Sequence, residues 1–413
     1  MGSTADITVE LMQQMLREVE KDNTIVVLPC LEVNELNEDL HAGSCLIRVT
    51  VKYTRRGDVY QHSLSLIVKL TPNISVTKDL FKDLDIFIRE IQMFDEILPR
   101  MSHLLSQALL ERHTELSARV YYTRKSPNYL IAIEDLAPKG FKSHNRKNGL
   151  DLKHSLLAFR ALARFHAASV KIRHEDKSLF AVLDKHLFAG EKVKAIMKKM
   201  FDNFAAIIPQ EVESWPEFGT VWADRLRKRY QTLFEDVMTL LQRDDTAFNV
   251  LNHGDCGIHN IMYRYSESSG EVEAVMLVDF QGCSYNSPVL DLHYFIFSSV
   301  SDDVRANHID TLLREYHSEL TATLEALGTP PELNISLTDL LKEFDENMAY
   351  GLYCATCLLP ILTIDLSSSS GLTASNVIEG VTDDSKNLKS LLPDSFSASF
   401  KQILRFFDQK QLL

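Results

Sequence analysis

Asp255 and Asn260 lie five residues apart in the stretch His253-Gly254-Asp255-Cys256-Gly257-Ile258-His259-Asn260, and Asp279 follows in Leu277-Val278-Asp279-Phe280-Gln281. Between the two acidic loops, the β-like runs Asn260–Tyr265 and Val272–Val278 flank a polar turn, Ser266–Gly270. A hairpin there carries all three side chains to one end. Two carboxylates and an amide so placed are what phosphoryl transfer from Mg-ATP requires. One carboxylate orients an acceptor hydroxyl and takes its proton, and the amide and second carboxylate offer hard oxygens to Mg²⁺. Asp255 is therefore the expected catalytic residue, and Asn260 and Asp279 are the expected metal ligands. Asp279 ends an apolar run, where an unpaired carboxylate is costly and a cation answers the cost.

The remaining chemistry must come from other elements. Lys69 closes the apolar strand-like string Leu64–Leu70 and is placed to pair with ATP phosphates; Glu90 on the following helix is its expected partner, with Glu96 competing. The segment Ile131–Leu136 joins two regions of different character, and the backbone of Glu134, Asp135 and Leu136 is expected to meet a purine edge in an apolar cleft. Neither GxGxxG nor a P-loop occurs, which leaves Gly43-Ser44 as the candidate phosphate-covering turn. A zinc site on His253, Cys256 and His259, completed by Asp255, is a competing idea that leaves Asn260 and Asp279 unexplained. His166 falls on the packed side of its helix and reads as a core histidine. The basic loop Lys139, Lys142, Arg146, Lys147 reads as a solvated loop before an anion-binding one.

These residues need a scaffold. An amphipathic helix fits Ile7–Lys21, strands fit Thr24–Pro29, Ser44–Tyr53 and Val59–Leu70, a helix fits Leu80–Leu98 with Pro99 as its stop, and strands fit Ala118–Thr123 and Tyr129–Glu134. Together they describe a small α+β lobe. From Asp151, a helix cap, the chain reads as mainly helical: to about Ile172, then Glu191–Ile208, Ser214–Arg243, Pro288–Val300, Arg305–Leu327, Leu337–Thr356 and Ser397–Lys410, with Ser367–Asn376 as a polar loop. The expected division is 1–135 as a nucleotide-binding lobe and 136–413 as a catalytic and acceptor-binding lobe.

Composition narrows the class. A length of 413 residues suits two or three domains or one two-lobed enzyme. A net charge of -13 argues against nucleic acid or an anionic membrane as the main partner. Six scattered cysteines form no disulfide framework, and Cys354 and Cys357, inside the apolar run Tyr350–Leu359, read as buried reduced thiols. Met1–Val9 has no apolar core like that of a signal peptide, and the longest apolar run, Leu352–Ile364, is too short to span a bilayer. The expected address is the cytoplasm, with a monomer assumed.

At these residues the chain resembles the ecdysteroid kinase-like family of insects, which sits with choline kinases and aminoglycoside phosphotransferases in the protein-kinase-like fold. The matching pieces are Val68-Lys69, Phe87-Ile88-Arg89-Glu90-Ile91, Ile97-Leu98-Pro99, Ile133-Glu134-Asp135-Leu136 and Leu162-Ala163-Arg164-Phe165-His166-Ala167, followed by His253-Gly254-Asp255, Asn260-Ile261-Met262, Val278-Asp279-Phe280-Gln281 and Pro288-Val289-Leu290-Asp291-Leu292. The resemblance implies a two-lobed fold, with a small antiparallel sheet and one main helix ahead of a larger, mostly helical lobe. It implies Asp255 as catalytic aspartate, Asn260 and Asp279 on magnesium, Lys69 paired with Glu90 over the phosphates of ATP, and Asp291 bracing the catalytic loop. The family commonly carries tryptophan two residues after that aspartate and asparagine before the metal-binding one. Here Gly257 and His259 stand in those places, which bears on the acceptor.

Only Gly282–Ser287 separates Phe280-Gln281 from the helix near Pro288, and no Ala-Pro-Glu follows, so a peptide acceptor has no seat. The expected acceptor is a small alcohol, an ecdysteroid or a hydroxylated dietary or other xenobiotic compound. The second class is a catalytically silent nucleotide-binding or scaffold protein. Its signature, loss of Lys69, Asp255, Asn260 or Asp279, is not found.

Overall fold

The computed structural model describes residues 6–36, 45–71, 85–109, 115–126, 128–363 and 392–413. Gly43, Ser44 and Ser367–Asn376 lie outside them.

Helix α1 (Val9–Glu20) starts where the Thr8 hydroxyl accepts from Leu11 N, and it buries Met12, Met15 and Leu16. Strands β1 (Val26–Val27), β2 (Glu32–Glu35), β3 (Cys45–Thr54), β4 (His62–Leu70), β5 (Val120–Arg124) and β6 (Leu130–Glu134) make one antiparallel sheet. Its order is β1-β3-β4-β6-β5, with β2 also on β3. Alternation decides which face does what. Ile47, Val49 and Val51 of β3 and Leu66, Val68 and Leu70 of β4 join the α1 side chains in one core. The intervening Ile67 and Lys69 then point to the opposite face, toward a cleft.

Helix α2 (Ile86–Gln92) runs through a π-helical turn, Met93–Ile97, into α3 (Leu98–Ala108). Pro99 does not stop the helix as expected. It occupies the first turn of α3, where the missing N–H and fixed φ are tolerated, and the wider turn ahead of it absorbs the altered bonding. Ile91, Phe94, Ile97, Met101 and Leu105 pack into the large helical core rather than against the sheet's α1 side.

That core is built by α4 (Leu152–Glu175), α5 (Glu191–Glu213), α6 (Gly219–Leu240), α7 (Val289–Ser298), α8 (Asp302–Asn307), α9 (Ile309–Ala326), α10 (Leu337–Glu346), α11 (Met348–Thr363) and α12 (Asp394–Gln409). Asp151 caps α4 by accepting from His154 N at 3.0 Å. Two helices expected to be continuous are broken, at His308 between α8 and α9 and at Asn347 between α10 and α11. Each break lets consecutive apolar faces meet different neighbours: α8 packs on α12, and α9 packs on α4.

Two small sheets are set into the helical body. Strands β7 (Phe141–Ser143), β9 (Ile261–Tyr265) and β10 (Val272–Leu277) pair in the order β10-β9-β7. β8 (Val250–Asn252) pairs with β11 (Ser284–Asn286). The β7, β8 and β11 strands, three residues each, were too short to show periodicity in the sequence. No helix among the described residues is long and apolar enough to cross a membrane.

Candidate active site

The β9–β10 hairpin has Leu277 opposite Ile261, and Val278 N donates to Asn260 O at 3.0 Å, so the loops leading into and out of it lie side by side. Their backbones touch. Gly254, at φ +78, lies so close to Gly282 that a Cβ at Gly254 would sit 2.1 Å from the Gly282 carbonyl oxygen. Asp279 itself holds φ +66, a left-handed conformation uncommon for a non-glycine residue and of the kind retained at functional sites.

Asp291, near the start of α7 and almost wholly buried, fixes the first loop. Its carboxylate accepts from His253 N at 2.6 Å and Gly254 N at 2.9 Å, and lies 3.1 Å from His166 Nε2. His166 in turn meets the Tyr316 hydroxyl through Nδ1 at 2.8 Å, as a satisfied core histidine does. Burial lowers the pKa of this imidazole against the opposing pull of Asp291.

Lys69 is the hub of the cleft. Its ammonium is 2.7 Å from Glu90 Oε2 and donates to Asp279 Oδ1 at 2.8 Å and Gln281 Oε1 at 3.4 Å. Burial alone would discharge it, but the carboxylates of Asp279 and Glu90 outweigh burial and raise its pKa, so it stays an ammonium. Burial is also the main cause of a raised pKa at Glu90, with Asp279 adding to it and Lys69 opposing. Glu96, the competing partner, is exposed on the π-helical turn. Arg89, the neighbour of Glu90, was not singled out by sequence; it donates to the carbonyls of Cys283 at 3.1 Å and Lys185 at 2.7 Å and ties α2 to the segment after Asp279.

Around Asp255 the polar groups converge from two elements, the turn Ile258–Asn260 and helix α7. Asn260 Nδ2 donates to Asp255 Oδ2 at 2.9 Å and to its backbone carbonyl at 3.0 Å. The Tyr294 hydroxyl on α7 donates to Oδ1, and His259 Nε2 lies 3.3 Å from the same oxygen. Burial pushes the Asp255 pKa up, but the charge and donors of His259 and Tyr294 prevail and hold it below the ordinary value. It is a carboxylate at neutral pH. Tyr294 was missed by sequence reasoning, although its i+3 spacing from Asp291 places the two on one helix face.

A cleft of about 250 Å³ between the sheet and the hairpin is lined by Lys69, Glu90, Glu134, Asp135, Leu136, His259, Asn260 and Asp279. Its apolar walls come from Ile67, Ile131, Ile133, Met262 and Val278. Asp255 lies beyond the lining, behind Asn260. In the segment Ile131–Leu136, the Asp135 side chain is fully engaged: Oδ2 accepts from Arg48 Nε at 2.8 Å and Ser65 Oγ at 2.7 Å, and Oδ1 accepts from Ala137 N at 3.1 Å. The N–H groups of Glu134 and Asp135 already donate to Arg119 O and Ser65 O.

The donor set suits a small hard cation. With its amide nitrogen committed to Asp255, Asn260 has its carbonyl oxygen left for a ligand, and Asp279 adds carboxylate oxygens. The zinc alternative is not favoured: His253 Nε2 faces the Val278 carbonyl at 3.1 Å, His259 faces Asp255, and no three His, Cys, Asp or Glu side chains among the described residues are placed to share a metal ion.

Comparison with known proteins agrees with this architecture. The sequence pattern of the ecdysteroid kinase-like family matches residues 41–329, well over half the chain, and the chain belongs to that family. No curated protein matches it.

Proposed function

We propose that this chain is a two-lobed, ATP- and Mg²⁺-dependent kinase that phosphorylates a hydroxyl of a small apolar alcohol, an ecdysteroid or a similar compound. The observation that carries the reading is Lys69 held between Glu90 and Asp279 on one wall of a cleft whose other wall presents Asn260 bonded to Asp255. The family supports a kinase-like activity on a small molecule.

In this reading the apolar walls and the hinge Glu134–Leu136 receive the purine, the Leu136 N–H being a hinge donor with no partner among the described residues. The Lys69 ammonium binds phosphate oxygens. Asn260 and Asp279 would hold Mg²⁺, which when bound would neutralise charge on the phosphate oxygens. The Asp255 carboxylate, kept ionised, orients the acceptor O–H and takes its proton as the oxygen–phosphorus bond forms and ADP leaves with the electrons of the broken bond. Tyr294, His259 and Asn260 fix the direction of that carboxylate.

The test is ADP release from Mg-ATP over a panel of steroid, phenolic and choline-like alcohols. Asp255→Ala and Asp279→Ala are each expected to lower turnover by at least about a thousandfold, within the range for loss of a catalytic or phosphate-clamping group. Wild-type rates in both variants with the true acceptor would sink the mechanism. A catalytically silent protein would bind Mg-ATP and release no ADP with any acceptor.

A further inference from the structure

The basic loop is not uniformly solvated. Lys139 pairs with Glu134 at 2.9 Å, and Lys142 sits over the Tyr265 ring at 4.5 Å. Arg146 differs from both. It is half-buried, and among the described residues its side chain forms no hydrogen bond or ion pair. Asp255 is the charged group it feels across the catalytic loop. The five N–H donors of Arg146, with no protein acceptor among the described residues, are available to a ligand.

Arg146 also lines a cavity of about 280 Å³ that shares no lining residue with the cleft that holds Lys69. Ile258, three residues after Asp255, forms its inner wall; Val300, Leu359 and Leu362 give it apolar surface, and Ser301 and Ser399 give it hydroxyls. Its other charges cancel. Arg305 is consumed by the Ile296 and Val300 carbonyls and by Asp302, to which it donates at 2.7 Å. Arg146 is therefore the uncompensated charge on the cavity wall among the described residues. Leu359, Leu362 and Ser399 lie past residue 329, where the family match ends.

We infer that this cavity is the acceptor site and that it selects an amphiphilic alcohol bearing an acidic group, whose anion is held by Arg146 while its hydroxyl reaches Asp255. The inference rests on the phosphotransfer reading and replaces its uncharged apolar acceptor with one that carries an anion. A planar fork of donors matches a carboxylate or an acid ester, and the apolar wall covers the hydrocarbon between anion and hydroxyl.

The test uses the full chain and two probes, ω-hydroxylaurate and its methyl ester, which differ in the negative charge and one methyl group. Wild type should bind the acid about ten- to a hundredfold more tightly than the ester by calorimetry, the usual worth of a charge-assisted pair. Arg146→Gln should erase that preference without weakening the ester, Arg146→Lys should keep part of it, and both should melt like wild type. Equal binding of acid and ester, no binding of either, or a preference that survives Arg146→Gln overturns the inference. An equal fall in kcat for both probes in Arg146→Gln also overturns it, placing the guanidinium on the transferred phosphate instead. ADP release separates the two proposals. Arg146-dependent binding without turnover keeps the site and sinks the kinase reading, whereas equal turnover of acid and ester does the reverse.

Discussion

Gly257 and His259, the two departures from the family pattern, are one feature. The His259 ring folds over Gly257 so closely that a Cβ there would sit 2.7 Å from the imidazole and 3.2 Å from the Tyr294 ring. The missing side chain is what lets His259 reach Asp255. The backbone at Gly257 is extended, with φ -108, so any residue tolerates it and the constraint is steric. Gly257→Ala should therefore push the imidazole off Asp255 and lower kcat/KM about tenfold. His259→Asn should remove the clash, so that the double variant performs better than the sum of the two changes by about 1 kcal/mol or more, as expected for residues in contact. A double-mutant cycle on kcat/KM checks this. Strict additivity would mean that the two positions changed independently.

Among elements, the decisive contact is backbone on backbone, where the Gly254 and Gly282 loops meet. Gly254→Ala adds both a left-handed strain and a 2.1 Å approach to a carbonyl that cannot move without shifting Asp279. Gly270, in the hairpin turn, has a similar φ of +70 but open space around it. Gly270→Ala should cost about 1 kcal/mol, the backbone term alone, and leave activity intact. Gly254→Ala should cost at least twice that in thermal unfolding and abolish turnover. Comparable losses in both would place the constraint in φ rather than in the loop contact. The hairpin that joins these loops was legible in the sequence, because two apolar runs and a Ser-Gly turn fix its register, and the register brings Asn260 and Asp279 together. Lys69, Glu90 and Glu134–Leu136 were also named from sequence, and they line the same cleft. What could not be read was set by long-range packing. Pro99 reads locally as a stop, and only the π-helical turn before it shows why the helix continues. The Arg146 cavity gathers residues from 146 to 399, and no local pattern links them.

At the scale of the whole molecule, the helical core buries histidines in their neutral form, and this makes its stability depend on pH. His293 of α7 is fully buried, stacked 4.0 Å from Phe344, with Nε2 bonded to the Phe344 carbonyl at 2.9 Å, and burial pushes its pKa down to about 3. His166, equally buried, is shifted the same way. The unfolded chain takes up these protons near the ordinary histidine pKa of about 6.5, and the folded chain resists them. Above that pH both states are neutral and nothing is lost. As pH falls, the unfolded state gains protons first, and the stability lost through His293 grows until the folded pKa of about 3 is reached. At pH 5 that loss is about 2 kcal/mol, a large fraction of a typical folding free energy. Chemical denaturation between about pH 7 and pH 5 should show stability falling. In His293→Phe the carbonyl of Phe344 loses its donor, so the variant starts less stable at pH 7, yet its decline over the same interval should be shallower by about that 2 kcal/mol. Parallel curves for wild type and variant would mean that His293 takes up its proton over the same pH range in the folded and the unfolded chain, and the origin of the acid sensitivity would have to lie elsewhere.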